Sequence, residues 1–480
     1  MSFRAMFVLA SVMFSVMIAA PLAMAQPGVH TAKTGSEVLR LIRNEKLELI
    51  LPGAMRDNNV DMWIHVTRAG DPDPMYPEFG STSGYLVFTD LGDRIERASF
   101  NGYFLGSGAV ENIDVQGSEA IKRAITGYDD STQDLSAYDE LTTFVAERDP
   151  QTIAVNYSDW LAIADGISHT QFVKLEKILG SKYSERMVSA ENLITDFRSR
   201  RTLREVALMV NAVELHRQIQ ERALSNEVIT PGVTTLEDVG WWVREQFFRR
   251  AHVEARSSSL PATSMPGVTY SAVSDRSETR SPQYVIQRGD FLSFDIGLRY
   301  LDYFETDFKR KAYVMREGET SVPASLQHAF DRAVAAQKII RKQIKVGKTA
   351  RQTLQDIIAA MEAADYIYTP YNDEGGKDYK NVQEKLANTH KSGFSLDLHS
   401  QGNHGGSLVT VGPSIAEFRS DRDHLTVQEN HIFSFEYVIG TNLPERPGFP
   451  LTLNMEDNHV VSSRGVEFLH PPNERILLIH

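Results

Sequence analysis

The sequence predicts an α/β protein in which two folded domains follow a cleavable leader. Strand-like runs alternate with helical patterns along the chain, which is typical of this class. The 480 residues exceed the usual size of one domain. A composition of 42% hydrophobic and 24% charged residues is that of a globular protein with ample core.

Residues 1–25 are predicted to be a signal peptide. Arg4 precedes an apolar run from Ala5 to Ala20, and Ala23 and Ala25 supply an A-x-A cleavage pattern. A signal anchor is the alternative, but the run is short for a bilayer span and no second one follows. We therefore expect cleavage after Ala25, no stable membrane span afterwards, and a periplasmic or secreted protein.

Charge and cysteine content exclude several classes of function. The formal net charge of −13 disfavours a nucleic acid or an anionic membrane as partner, because both require a basic face. The chain has no cysteine, which excludes thiolate nucleophiles, disulfides and cysteine metal sites. His, Asp and Glu remain as candidate metal ligands.

Residues 26–190 are predicted to form the first α/β domain. "SEVLRLIRNEKLELIL" has helical spacing, whereas "DMWIHVT", "GYLVFTD" and "TIAVNY" resemble strands. This segment shows no grouping of acids with histidine, so we expect it to serve as a scaffold or in assembly.

Residues 191–480 are predicted to form the second domain. Its first helix begins at Thr202, which forms a capping-box pattern with Glu205. Two further helices are each preceded by threonine, with Glu237 or Gln352 three residues on. Between these helices, "GDFLSFDIGLRYLDYFETDFKRKAYVM" is rich in aromatic and β-branched residues and predicts paired strands.

Four acids of this domain lie among apolar or aromatic strand residues. Asp295 and Asp307 can meet across a hairpin, and Glu436 and Glu456 ("NMEDN") follow. A single strand acid usually faces solvent, but four that converge would repel one another strongly without cations. Convergence would therefore imply metal ions. The neighbouring Asp457 is expected to be a solvated strand or turn acid rather than a metal ligand.

At these residues the sequence resembles the creatinase/aminopeptidase P/prolidase family of metallopeptidases. The family carries, in order, "D-x-G", "S/T-D-x-x-R", "G-H-G", "E-P/Y" and "E-D" motifs. The corresponding segments here are Asp295-Ile296-Gly297, Thr306-Asp307 with Arg310, Asn403-His404-Gly405, Glu436-Tyr437 and Glu456-Asp457. Any one motif is weak, but all five in order are specific.

The resemblance implies a creatinase-like α/β domain followed by a pita-bread domain, an α/β fold with pseudo-two-fold symmetry. It implies two divalent metal ions (Mn, Zn or Co), one held by Asp295, the other by His404 and Glu436, with Asp307 and Glu456 bridging both. A water shared by the ions would be deprotonated near neutral pH and attack a peptide carbonyl, with Glu436 shuttling the proton. The implied substrate is a short peptide, cleaved next to proline, and the implied assembly is a homodimer.

The histidine assignment depends on how "HSQGNHGGS" is aligned. Without a gap, Asn403 falls on the ligand position, and an amide is a poor substitute for imidazole at a transition-metal site. A one-residue shift places His404 there. We therefore expect His404 to be the ligand and His399 to face the substrate or transfer protons. The alternative is that both histidines merely line a glycine-rich turn.

Departures from the family pattern keep two alternatives open. No histidine lies between His252 and His328, where the family has a substrate-binding one, and position 411 is valine where a second is expected. Asn454 replaces the arginine that precedes the last glutamate. These losses favour a non-catalytic metal- or ligand-binding protein of the same fold. The other alternative is a metal-free, creatinase-like hydrolase, although those members lack this set of acids.

Overall fold

The computed structural model describes most of the chain, and the statements below concern the described residues. These are residues 32–67, 73–80, 83–101, 110–126, 135–250, 267–271, 277–278, 282–301, 303–370, 383–402, 411–445, 447–448, 450 and 451–480. The predicted signal peptide and His404 lie outside them. Among the described helices, none combines the length and apolar character needed to cross a bilayer.

The amino-terminal part is a six-stranded mixed sheet covered by helices. The strands, in the spatial order β4-β3-β2-β1-β5-β6, are β1 (Met62–Thr67), β2 (Gly84–Asp90), β3 (Ile95–Asn101), β4 (Val115–Gln116), β5 (Ile153–Val155) and β6 (Met187–Ser189). The helices are α1 (Ala32–Glu45), α2 (Leu51–Asp57), α3 (Tyr76–Phe79), α4 (Glu119–Thr126), α5 (Asp139–Arg148), α6 (His169–Ser184) and α7 (Glu191–Ser199), with a π-helical turn at Lys46–Ile50. The helical and strand patterns predicted from the sequence are confirmed here.

Both faces of this sheet are buried, which explains its continuous apolar strands. Trp63 of β1 packs on one side with Phe197 of α7, whereas Ile64 and Val66 pack on the other side. Every residue of β1 is therefore buried. Because α7 packs on this sheet, the first packing unit continues to Ser199; the division at residue 190 stays a prediction.

The carboxy-terminal part repeats one order of elements: two helices followed by strands that pair mainly antiparallel. The first set is α8 (Leu203–Ala223), α9 (Leu236–Arg250), β7 (Gly267–Ser271), β8 (Ser277–Glu278), β9 (Phe291–Ile296), β10 (Arg299–Tyr300), β11 (Phe304–Glu305) and β12 (Phe308–Val314). The second is α10 (Ala324–Gln343), α11 (Ala350–Glu362), β13 (Tyr366–Tyr368), β14 (Ser392–Ser400), β15 (Ser414–Ile415), β16 (Ile432–Thr441), β17 (Leu451–Met455), β18 (Asn458–Ser462) and β19 (Gly465–Phe468), followed by β20 (Leu477–Ile479).

Capping confirms two of the three predicted helix starts and corrects the third. Thr202 and Thr349 each form a complete capping box, with Glu205 and Gln352 respectively. For α9, however, Thr235 rather than Thr234 caps the helix, and it exchanges hydrogen bonds with Asp238 rather than Glu237. Both pairs have the same spacing, so the sequence pattern alone could not choose between them.

Two sheets meet where the candidate site residues lie. In the five-stranded sheet (β20-β12-β9-β7-β8), β9 and β12 are antiparallel and Asp295 is opposite Lys309. In the seven-stranded sheet, β14, β17 and β18 all pair with the central strand β16. The backbone N–H of Lys309 donates to the carbonyl of Glu456 at 3.2 Å, which joins the two sheets.

The apolar flanks of Glu456 predict a position inside a strand, but Glu456 is not in one. It lies with Asp457 in a break between β17 and β18, which pair with successive parts of β16. The N–H of Phe435 bonds to the carbonyl of Asp457 at 2.8 Å, so the break remains attached to β16. A break of this kind changes the direction of side chains without ending the sheet.

Candidate metal centre

The four acids predicted from the sequence converge on one cleft. Asp295 is part of β9 and Glu436 is part of β16. Asp307 immediately precedes β12, and Glu456 lies in the break after β17. The Asp295 side chain is 45% exposed and that of Glu456 is 0% exposed. The cleft therefore opens at Asp295 and ends at Glu456.

A lysine lies among three of these carboxylates. Lys309 Nζ is 2.8 Å from Glu436 Oε1 and 3.2 Å from Asp295 Oδ2, and it also donates to Glu456 Oε2. The whole residue is 5% exposed. An ammonium group has three N–H donors, so each of its donors has a carboxylate partner.

The surrounding charges keep Lys309 protonated. Burial by itself would lower the pKa of Lys309, but Glu456, Glu436 and Asp295 together outweigh burial and hold its pKa well above the usual value. Conversely, burial would raise the pKa of Glu436, but Lys309 and His399 hold that pKa well below its usual range. Lys309 and Glu436 therefore form a charged pair within the cleft.

His399, at the end of β14, faces the remaining part of the cleft. Its Nε2 is 3.9 Å from Asp307 Oδ2, 3.7 Å from Glu436 Oε2 and 3.7 Å from Glu456 Oε1. These distances are too long for direct hydrogen bonds. They are close to the roughly 3.4 Å that separates two ligands bound tetrahedrally at about 2.1 Å from one ion.

The electrostatics of this second group also favour a cation. Burial and then the charges of Glu456 and Asp295 raise the pKa of Asp307 well above its usual value. Burial lowers the pKa of His399, but Glu436 and Glu456 outweigh it and raise that pKa to about 10. Without a metal ion, the imidazole would therefore carry the positive charge that these acids require.

The residues fit one divalent ion but not two. Asp307, His399 and Glu456 can place one oxygen or nitrogen atom each within 4.8 Å of one another, which is the donor set that Mn, Zn or Co accepts. The Asp295 side of the centre has no such space, because Lys309 Nζ lies at hydrogen-bonding distance from Asp295, Glu436 and Glu456. A divalent cation there would meet a buried like charge.

Neighbouring polar groups orient the two glutamates. Asn454, at the position of the missing family arginine, donates from Nδ2 to Glu436 Oε1 at 2.7 Å. Ser434 donates to Glu456 Oε1. Asp397 also lies near His399 and Glu436, but Arg419 binds both of its oxygens, at 2.8 and 3.1 Å. Asp397 is therefore already neutralised.

Asp457 is buried, so the expectation of a solvated turn acid was wrong. It accepts hydrogen bonds from Arg310 Nη1 at 2.9 Å, Gln337 Nε2 at 3.1 Å and the N–H of Asn473 at 3.1 Å. Its side chain is 0% exposed. Glu456 and Asp457 thus point in opposite directions, one toward the cleft and the other into a polar network behind it.

Sequence reasoning missed Lys309, and the structure describes only one of the two candidate histidines. His404 lies outside the described residues, and its role as ligand stays a prediction. His399 occupies the ligand-like position that had been expected for His404. A signal for Lys309 was present: it follows Asp307 by two residues in the segment predicted to be a strand, and alternation there places both side chains on the same side.

A family model and several solved structures match this chain. The model of metallopeptidase family M24 matches residues 207–463, which is more than half of the chain. No curated protein matches the chain by sequence. Three solved structures have the same fold at low identity.

The first is an X-Pro aminopeptidase from Thermotoga maritima, with a TM-score of 0.56 and 15% identity over 89% of this chain and 99% of the other. A Xaa-Pro dipeptidase from Bacillus anthracis has a TM-score of 0.51 and 18% identity over 93% and 100%. A prolidase from Pyrococcus horikoshii has a TM-score of 0.52 and 16% identity over 91% and 99%.

These matches confirm the resemblance drawn from the five motifs. They also confirm the pita-bread fold and, at the level of the family, a metallopeptidase. The chain belongs to metallopeptidase family M24.

Proposed function

We propose that this chain is an exported peptidase that cleaves an amide bond of a short peptide, next to proline, with one divalent ion. The observation that carries the proposal is the spacing of Asp307, His399 and Glu456, which suits the ligands of one ion and is too long for hydrogen bonds. The proposal has one ion rather than two, because Lys309 lies between Asp295 and Glu436.

In this proposal His399 is a ligand, and Glu436 is the group that accepts a proton. Asp307, His399 and Glu456 would hold a divalent ion, which would supply Lewis acidity. Glu436 Oε1 is occupied by Lys309 and Asn454, so its Oε2, 3.7 Å from His399, is the oxygen directed toward the centre. A substrate would enter past Asp295, the most exposed of the four acids.

A peptide library and a chelator test the proposal. We expect the purified protein to cleave Xaa-Pro dipeptides or peptides with proline at the second position. Removing the ion should lower kcat/KM about a hundredfold or more, because the ion contributes several kcal/mol of transition-state stabilisation. Adding back Mn, Zn or Co one at a time should restore the rate and identify the metal. Cleavage that is indifferent to chelation would instead favour the metal-free hydrolase.

Lys309 specifically favours a second candidate function, a non-catalytic binding protein of the same fold. With three donors bound to three carboxylates, Lys309 has none left for a substrate carbonyl. Calorimetric titration with uncleaved Xaa-Pro peptides separates the two functions. Binding without any cleavage, in the presence of bound metal, would establish the binding protein and exclude the peptidase.

Export carries its own prediction. The apolar run and the A-x-A site lead us to expect a mature amino terminus at or near Gln26, in the periplasm or the medium. Intact-mass and peptide mass spectrometry of protein from fractionated cells give this terminus directly. An intact Met1 on cytoplasmic protein would contradict it. The homodimer also stays a prediction, to be checked by light scattering of the purified protein.

A further inference from the structure

We infer that Lys309 is a built-in cation that replaces one of the two metal ions, so that this chain binds at most one divalent ion. The inference deepens the proposed function and rests on it only for the ion at Asp307, His399 and Glu456. Its central part, the exclusion of a second ion by Lys309, is independent of whether peptides are cleaved.

The number of N–H donors on Lys309 equals the number of carboxylates that it contacts. Lys309 Nζ contacts Asp295, Glu436 and Glu456, which come from three separate segments of two sheets. An ammonium has three donors and no acceptor. One lysine therefore satisfies three acids that would otherwise repel one another in a buried cleft.

Lys309 cannot readily move out of the cleft. It is opposite Asp295 in the β9–β12 ladder, and its backbone N–H is bonded to the carbonyl of Glu456. With 5% of the residue exposed, the side chain is enclosed rather than lying at the mouth of the cleft. Withdrawing the ammonium would leave Glu436 and Glu456, which are 15% and 0% exposed, without this counter-charge, and that is strongly unfavourable.

The volume between Asp295 and Glu436 has room for one cation. Metal–oxygen bonds are about 2.0–2.2 Å long, so an ion bound by Asp295 and Glu436 would lie in the volume that Lys309 Nζ occupies. Both oxygens are already at hydrogen-bonding distance from the ammonium, at 3.2 and 2.8 Å. The same volume cannot hold both cations.

Lys309 therefore neutralises charge without acting as a Lewis acid. All three of its donors are used by the protein, so none remains to polarise a carbonyl. An ion held by Asp307, His399 and Glu456 would have to supply any Lewis acidity. Lys309 is accordingly a positioning residue for Glu436 and Glu456.

Metal stoichiometry tests the inference in the full-length mature protein. The wild type and Lys309→Ala are equilibrated with excess Mn²⁺, desalted, and measured by elemental analysis and by electron paramagnetic resonance. We expect one uncoupled Mn²⁺ per chain in the wild type. We expect a second ion in Lys309→Ala, with the spin coupling of two neighbouring ions, because the substitution removes a cation and opens a volume.

Lys311→Ala is the matched control. Lys311 is two residues further along β12, is 1% exposed, and donates to Ser293 rather than to an acid of the centre. Its substitution also removes a buried lysine but should leave one ion per chain. A gain of metal in this control would show that the loss of any buried lysine has this effect, and it would overturn the inference.

The outcomes separate this inference from the proposed function. Two coupled ions in the wild type would overturn the inference even if peptides are cleaved, and so would a folded Lys309→Ala that gains no ion. If the wild type binds no ion but Lys309→Ala does, Lys309 retains its role and the metal-dependent peptidase fails. Should Lys309→Ala not fold, the single uncoupled ion of the wild type is the supporting result.

Discussion

Replacing Glu456 with Gln is expected to remove the bound ion and to lower kcat/KM by about a hundredfold or more. Glu456 is 0% exposed and offers one oxygen toward His399 and the other to Lys309. The neutral amide is a poor ligand and a weaker partner for the ammonium. We also expect a stability loss of about 3 kcal/mol, the lower end for removing one partner of a buried ion pair, because Lys309 keeps Asp295 and Glu436.

Three measurements check this prediction independently: elemental analysis, thermal unfolding and peptide hydrolysis. Glu467→Gln is the control, because Glu467 lies on the nearby strand β19 and pairs with Arg464, whose side chain is 81% exposed. An exposed pair contributes at most about 1 kcal/mol, so this variant should keep its metal and its stability. A Glu456→Gln protein with unchanged metal and stability would mean that Glu456 is not part of the centre.

The sequence was sufficient to predict the fold and the convergence of the four acids. The aromatic and β-branched content of β1, β2, β9 and β12 identified them as strands, because such residues are favoured in buried sheets. Asp295 and Asp307 could be brought together by a hairpin, which is a local feature. Glu436 and Glu456 could be placed only through the order of motifs, since they reach the cleft from another sheet.

The parts that could not be predicted depend on contacts between distant segments. Strand alternation places Asp307 and Lys309 on one side, but a strand lysine is ordinarily expected in solvent. Its partner Glu436 is 127 residues away in the chain. Asp457 is misread for the same reason: its ion-pair partner, Arg310, is 147 residues away. Charge alone does not show which side chains will be enclosed.

Replacing Asp457 with Ala is expected to destabilise the protein by about 3 kcal/mol, because the buried guanidinium of Arg310 would keep only its longer ion pair with Glu221, at 3.7 Å. Arg310 is 2% exposed, and its other hydrogen bonds go to neutral groups: His470 and the carbonyls of Lys309 and Pro471. Gln337 of α10 and the N–H of Asn473 would lose the same acceptor. The entropy of unfolding grows with chain length, so for a chain of 480 residues we expect about 1–2 °C per kcal/mol and a fall in the thermal transition of roughly 3–6 °C.

Asp423→Ala is the matched control, since Arg351 binds Asp423 through two hydrogen bonds, at 2.7 and 3.0 Å, but is itself 62% exposed. Its loss should cost no more than about 1 kcal/mol. The double variant Arg310→Met with Asp457→Leu should recover part of the stability lost in Asp457→Ala, because no buried charge is left unpaired. An Asp457→Ala protein as stable as the control would contradict the role assigned to the buried pair.

The network around Asp457 should also affect the metal centre, although Asp457 does not face the cleft. Asp457 lies in the break between β17 and β18 and is held there by Arg310. The adjacent Glu456 lies in the same break, and its side chain is directed toward His399. Groups that orient a metal ligand typically change metal affinity 10–100-fold when they are lost. We therefore expect Asp457→Ala to bind Mn²⁺ about tenfold more weakly at a temperature where it remains folded. Unchanged affinity would show that Lys309 and Ser434 alone are sufficient to position Glu456.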